Sequence, residues 1–124
     1  WAAEMAGILK DIEQLEDGFR TRISNSGADQ LSNGFRQRLS LARTILKPAS
    51  IVLLDEPGNG MDDAGEEALM RCINWFRGRV TLIVVTPRPS HLKMADHILY
   101  MESGAVTARG PYADVENKIM AGLS

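Results

Sequence analysis

Two neighbouring stretches decide how this chain reads: "LSNGFRQRLSLART", residues 31–44, and "IVLLDEP", residues 51–57. In the first, Ser32 is a candidate N-cap for a helix over about 33–46. Phe35, Leu39, Ala42 and Leu46 would line one face, with Arg36, Ser40, Arg43 and Lys47 on the other. Pro48 ends the helix, because the residue before a proline is pushed out of helical backbone. In the second, Ile51–Leu54 is short and uniformly apolar. It reads as a strand covered on both faces, as in a parallel sheet, tipped by Asp55 and Glu56.

Working outward, residues 2–16 read as one helix with Met5, Ile8, Ile12 and Leu15 on its apolar stripe. Gly18 suits a left-handed cap that stops it. Residues 24–34, rich in Ser, Asn, Asp and Gly, read as a loop. After the second stretch, Pro57–Asp63 is a turn, and Asp62 or Asp63 caps a helix over 63–77. Its apolar face is Ala64, Ala68, Leu69, Cys72, Ile73 and Phe76. Val80–Val85 is a second buried strand, and residues 89–95 suit a short helix. His97–Met101 and Ala105–Arg109 flank "ESG" as a hairpin, and Pro111 starts a final helix to about 122. This order of strands and helices is that of an α/β protein built on a parallel sheet.

The bulk numbers narrow the function. At 124 residues, 44% apolar and 24% charged, the chain fits one globular domain. A net charge of −2 gives no general electrostatic reason to bind nucleic acid. One cysteine, Cys72, excludes an internal disulfide, and no apolar run approaches the length of a membrane span.

The chemistry lies in the two opening stretches. A strand ending in Asp-Glu puts carboxylates at the carboxyl edge of a parallel sheet, where α/β proteins bind ligands. One can hold Mg²⁺ through its waters while the next accepts a proton from an attacking water. A buried strand running out into solvent would leave the same letters. A helix opened by Ser-x-Gly gathers free amides, the positive dipole end and a hydroxyl at one anion-binding spot. Ordinary N-capping needs no more than the serine.

Together, in this order and spacing, the stretches resemble the second half of an ABC-type ATPase nucleotide-binding domain of the exporter class. "LSNGFRQRLSLAR" is similar to the ABC signature, matching at Leu31, Ser32, Gly34, Gln37, Arg38, Ala42 and Arg43. "IVLLDEP" resembles the Walker B strand, and "GNGMD" the D-loop, with Asp62 at its aspartate. "ADHILYMESGAVTARG" is similar to the stretch after the switch region. "GFRTRISNSGADQ" resembles the segment before the signature, matching at Gly18, Thr21 and Gly27, with Ser24 and Asn25 replacing the usual Gly-Glu.

That resemblance, taken from Gly18 almost to the end, implies an α/β P-loop NTPase fold of the ABC-ATPase type. It would have a partial parallel sheet with flanking helices and part of the helical subdomain. Residues 1–124 would form a single partial domain, 1–48 its helical and signature part and 49–124 its Walker B, D-loop, switch and C-terminal part. The implied cofactors are ATP and Mg²⁺ in the parent protein. Asp55 is implied as the metal ligand, Glu56 as the catalytic base, and Ser32, Asn33, Gly34, Phe35 and Asp62 as nucleotide contacts. The implied partners are a second ABC nucleotide-binding domain, identical or not, and the transmembrane domains of an exporter; no nucleic acid is expected. The place of work would be the cytoplasmic face of a membrane. An ABC-type dimerisation or regulatory module outside transport, or the ABC head of a DNA-repair or chromosome ATPase, are the alternative readings. Residues 1–30 lack the heptads expected of the latter.

Departures from the family pattern shape the expected activity. No G-x-x-x-x-G-K-[ST] occurs, so the chain lacks the ATP-holding half and is expected to be inactive alone, as a piece of a longer protein or a remnant. Asn33 replaces the first signature glycine, and Phe35 replaces a glutamine, where a core role suits it better. Pro87, in "TPRP", stands at the family's switch histidine, which bonds the γ-phosphate. Proline has neither a side-chain donor nor an N–H. The composite site containing this half is therefore expected to hydrolyse poorly. His91 reads as a surface residue, and Arg36, Arg38 and Arg43 as structural pairing.

Overall fold

A computed structural model describes residues 1–23 and 31–122, which divide into two compact units between Val85 and Thr86. The stretch containing Ser24, Asn25 and Gly27 lies outside the described residues.

In the first unit, the single helix expected over 2–16 is two short ones, α1 (Ala2–Met5) and α2 (Leu9–Glu13). They meet at an elbow at Gly7, whose φ is +67°. The apolar stripe runs through this point without a break, so periodicity alone does not reveal it. A Cβ on residue 7 would lie 2.9 Å from the Ala68 Cβ, so glycine lets the backbone turn against its neighbour. Ile8 and Ile12 are buried as expected, whereas Met5 and Leu15 are only half-buried. Gly18 takes the expected left-handed backbone at φ +53° and opens a single 3₁₀ turn to Arg20.

Helix α3 (Asn33–Leu46) starts and stops where expected: the Ser32 side chain caps it and Lys47 turns extended before Pro48. Its inner face is Phe35, Leu41, Ala42 and Ile45, while Leu46 is exposed. The expected stripe was out of phase because it excluded Arg38, whose aliphatic stem lies on the inner side with its guanidinium paired. Arg36 and Arg43 face solvent as expected.

Strand β1 (Ile51–Asp55) pairs in parallel with β2 (Thr81–Val85), Ile51 opposite Thr81 and Asp55 opposite Val85. Between them runs α4 (Asp63–Phe76), capped by the Asp62 carboxylate, which accepts from the Gly65 amide at 2.8 Å. Its buried face is that expected, except that Gly65 replaces Ala64. The Met61 and Asp62 side chains fold over residue 65, where a Cβ would come within 3.1 Å of both.

The strands are not covered on both faces. Val52 and Leu54 are buried, but Ile51 is 64% and Leu53 63% exposed, and on β2 Ile83 and Val85 are about half exposed. Within this unit, the side of the pair that carries Ile51, Leu53, Ile83 and Val85 is open to solvent. A uniformly apolar strand signals that both faces are fit for burial. It says nothing of what does the covering.

The second unit holds α5 (Pro89–Leu92), β3 (Ile98–Glu102), β4 (Ala105–Gly110) and α6 (Tyr112–Gly122). Helix α5 is shorter than the expected 89–95. Strands β3 and β4 form the expected antiparallel hairpin, turned by Ser103 and Gly104, both with positive φ. Helix α6 closes it through a small core of Ile98, Val115 and Ile119.

Candidate functional site

The start of α3 is built as an anion site requires. Ser32 Oγ accepts from the Phe35 amide at 3.1 Å, and Ser32 O accepts from the Arg36 amide. A hydroxyl that accepts one bond still has its proton to give, so the exposed Ser32 can donate to an oxyanion. The Asn33 and Gly34 amides stand in the first turn, which has no intrahelical acceptors, at the positive end of the dipole. Asn33 Oδ1 accepts from Arg36, which draws that side chain back along the helix. Phe35 is buried and contributes its amide to the cap, as befits a core residue.

Gly34 is needed by close approach: a Cβ there would lie 3.3 Å from the Gly60 carbonyl. In turn, a Cβ on Gly60 would touch the Asn33 Cβ at 3.4 Å. The α3 start and the turn leading to Asp62 therefore form one continuous surface. Asp62 itself is engaged as the α4 cap.

Asp55 and Glu56 sit at the open end of the parallel pair, both exposed. The ladder continues one residue past β1, with the Glu56 amide donating to Val85 O at 2.8 Å. Glu56 has φ +42°, in the left-handed region that glutamate avoids. Such strain persists where surrounding structure imposes it, often at functional positions. A cavity of about 190 Å³ lies beside Asp55, lined also by Gln37, Ser40 and Thr44 from α3, by Leu53 of β1, and by Pro57 and Met61. Among the described residues no group of three or more His, Cys, Asp or Glu is gathered as a ready metal cage.

The strain at Glu56 is measurable. Glu56→Gly is expected to stabilise the chain by about 0.5–1 kcal/mol. Relief of about 1–2 kcal/mol of left-handed strain outweighs the extra freedom that glycine gives the unfolded chain. A urea midpoint that falls instead would show that the Glu56 side chain makes a stabilising contact worth more than the strain.

In the second unit, Pro87 follows Thr86, whose Oγ1 accepts from the Arg88 amide at 3.1 Å and lies 3.0 Å from His91 Nδ1. His91 is 5% exposed, so the expectation of a surface histidine is corrected. Thr86 Oγ1, which accepts from Arg88, keeps a proton and a second lone pair, so it can meet Nδ1 as donor or as acceptor. The clip had one local sign, a threonine two residues before the amide it binds.

Residues 2–59 match the family model described as ABC transporter. Almost the whole chain also aligns with curated proteins. It is 34% identical over 117 residues to the "ATP-dependent lipid A-core flippase" of Vibrio vulnificus, covering 94% of this chain and 20% of that protein. The chain belongs to the ABC transporter ATPase family. It is 33% identical over 114 residues to the "ABC multidrug transporter MDR2" of Trichophyton tonsurans, covering 92% of this chain and 8% of that protein. The fold matches a bacterial Atm1-family ABC exporter with ATP bound, at TM-score 0.85 and 26% identity, over 98% of this chain and 22% of that one. The chain thus spans about a fifth of the length of the lipid A-core flippases it matches. The ABC likeness begins at residue 2, well before Gly18. Residues 2–17 carry packing rather than phosphate chemistry, so no motif announces them. Among the described residues, no helix is long and apolar enough to cross a membrane.

Proposed function

We propose that this chain is part of the ATP-hydrolysing domain of an ABC exporter and serves two composite sites. Its Ser32–Gly34 loop would bind the γ-phosphate of a nucleotide held by the P-loop of a second ABC domain, with Asp62 close to the same junction. Its Asp55 and Glu56 would serve the nucleotide held by the P-loop of its own domain. ATP and Mg²⁺ fit the groups present: a capped, glycine-opened helix start suits a phosphate, and a lone exposed carboxylate suits a metal that keeps most of its waters. The metal would neutralise charge developing on the phosphates, and Glu56 would take the proton of the attacking water. Asp55 would hold the ion. The transmembrane domains would be driven from the cytoplasmic face. The observation that carries this reading is the α3 start, where Ser32 keeps a proton to donate while its oxygen is fixed by the Phe35 amide.

Hydrolysis at the site containing Glu56 would be slow, because Pro87 offers no donor where the family resemblance places a histidine. Two measurements test the division of labour. Titration calorimetry of this chain alone with Mg·ATP should show no binding below the millimolar range, since trans contacts without a P-loop do not hold a nucleotide; micromolar affinity would sink the proposal. In the full-length protein, Ser32→Ala should lower turnover by about tenfold, the worth of one hydrogen bond to a charged group. An unchanged rate would remove Ser32 from the phosphate site.

A further inference from the structure

Arg38 is the residue of α3 whose side chain has the most to hold. Its Nη1 donates to the Gly7 carbonyl at 2.5 Å and pairs with Asp11 Oδ2 at 3.1 Å, and its Nε donates to the Gly34 carbonyl at 3.3 Å. The Arg38 side chain is 14% exposed and that of Asp11 42%, so the carbonyl bonds are partly shielded while the ion pair stays open to water. Gly7 is itself pinned, because its left-handed elbow lies against Ala68 of α4. The guanidinium thus ties a fixed point on the N-terminal elbow to the first turn of α3.

What it grips there matters. The Gly34 carbonyl and the Phe35 amide are the two ends of one planar peptide. That amide is the donor that fixes Ser32 Oγ. Turning the Gly34 carbonyl therefore turns the Phe35 N–H and frees the serine rotamer. The Gly60 carbonyl approaches Gly34 so closely that a Cβ there would lie 3.3 Å from it, which keeps a side chain out of this turn.

We propose that Arg38 is a positioning residue for the Ser32–Gly34 loop, acting through the Gly34–Phe35 peptide and anchored on Gly7 and Asp11. The functional half of this statement rests on the phosphate role proposed above for Ser32. Arg38 touches no phosphate itself. Lysine cannot replace it, because one ammonium on a flexible stem does not span the Gly34 carbonyl and the Gly7–Asp11 pair together.

The test uses Arg38→Lys, Ser32→Ala and the double variant in the full-length protein. Hydrogen exchange is followed by mass spectrometry over peptides spanning residues 31–37 and over α4, and ATP turnover is measured alongside. In Arg38→Lys, exchange over 31–37 is expected to rise about tenfold with α4 unaffected, the scale of one lost hydrogen bond. Turnover should fall by a similar factor with little change in KM. In the Ser32→Ala background, Arg38→Lys should cost nothing further, because its effect passes through the serine. Exchange that is unchanged, or that rises equally along α3 and α4, overturns the proposal by making Arg38 an ordinary core tie. Multiplying rate losses in the double variant overturn it too. If Ser32→Ala alone leaves turnover unaltered, the phosphate role fails, and the exchange pattern still decides whether Arg38 positions the loop.

Discussion

Pro87→His in the full-length protein is expected to raise ATP turnover by roughly a hundredfold. One missing transition-state donor is worth on the order of 3 kcal/mol. Position 87 follows β2 directly after Thr86, and the family resemblance places a phosphate-binding histidine there. The backbone has an anchor that does not depend on the proline ring: Thr86 Oγ1 holds the Arg88 amide and meets His91 Nδ1. A histidine can therefore enter without the loop losing its course. The gain should be smaller if Asn33, turned toward Arg36, also weakens the contact from the opposite domain. Adding Glu56→Gln should remove the gain, because the restored step still needs its base. An unchanged rate in a folded protein that binds nucleotide would mean that position 87 is not the switch. His91 would then be the group to remove, with His91→Ala measured in the unaltered protein.

Gly7→Ala should cost about 3 kcal/mol of folding stability. Left-handed backbone at φ +67° costs an alanine about 1–2 kcal/mol. The new Cβ would also sit 2.9 Å from the fully buried Ala68 Cβ, an overlap that costs typically about 1–3 kcal/mol. Against a total stability on the order of 5–15 kcal/mol, this is a severe loss for one methyl group. Ala68→Gly in the same chain should return the steric part only, leaving the backbone strain. Denaturant unfolding of the two variants separates the terms. A loss below about 1 kcal/mol for Gly7→Ala would mean that the elbow reopens cheaply, and the anchor for Arg38 would be softer than described.

Local chemistry in this chain was legible, and distant packing was not. Ser32, Gly34 and Pro48 mark both ends of α3 because capping and proline effects act within a few residues. Asp62 marks α4 for the same reason. The Gly7 elbow was invisible to periodicity, because Met5, Ile8, Ile12 and Leu15 keep helical spacing on either side of it. Only the presence of Ala68, far along the chain, gives that glycine its purpose. Arg38 read as a structural pair, which is correct, but its partners Gly7 and Asp11 lie 31 and 27 residues away and leave no local pattern. His91 read as exposed because it stands four residues past Pro87 on a short helix, where the sequence does not say which face is covered. Thr86 Oγ1, which meets its ring, lies five residues back. The bare face of β1 and β2 shows the same limit, since strand composition records suitability for burial and cannot name the covering element.

The parallel pairing of β1 with β2 also has a consequence for how the chain is made. Ile51 finds its partner in Thr81, 30 positions further along. A ribosome adding about 5–20 residues per second delivers that partner roughly 2–6 s after the strand itself. An antiparallel hairpin such as β3–β4 would close in microseconds, whereas Ile51–Leu54 must wait, apolar and unpaired, for α4 to be made and folded. Between the emergence of Ile51 and that of Thr81 from the ribosome, the chain carries an apolar segment without its β2 partner, the kind of exposed surface that makes partly folded species prone to aggregate. The yield of this protein in a cell should therefore fall when synthesis is slowed between the emergence of β1 and that of β2.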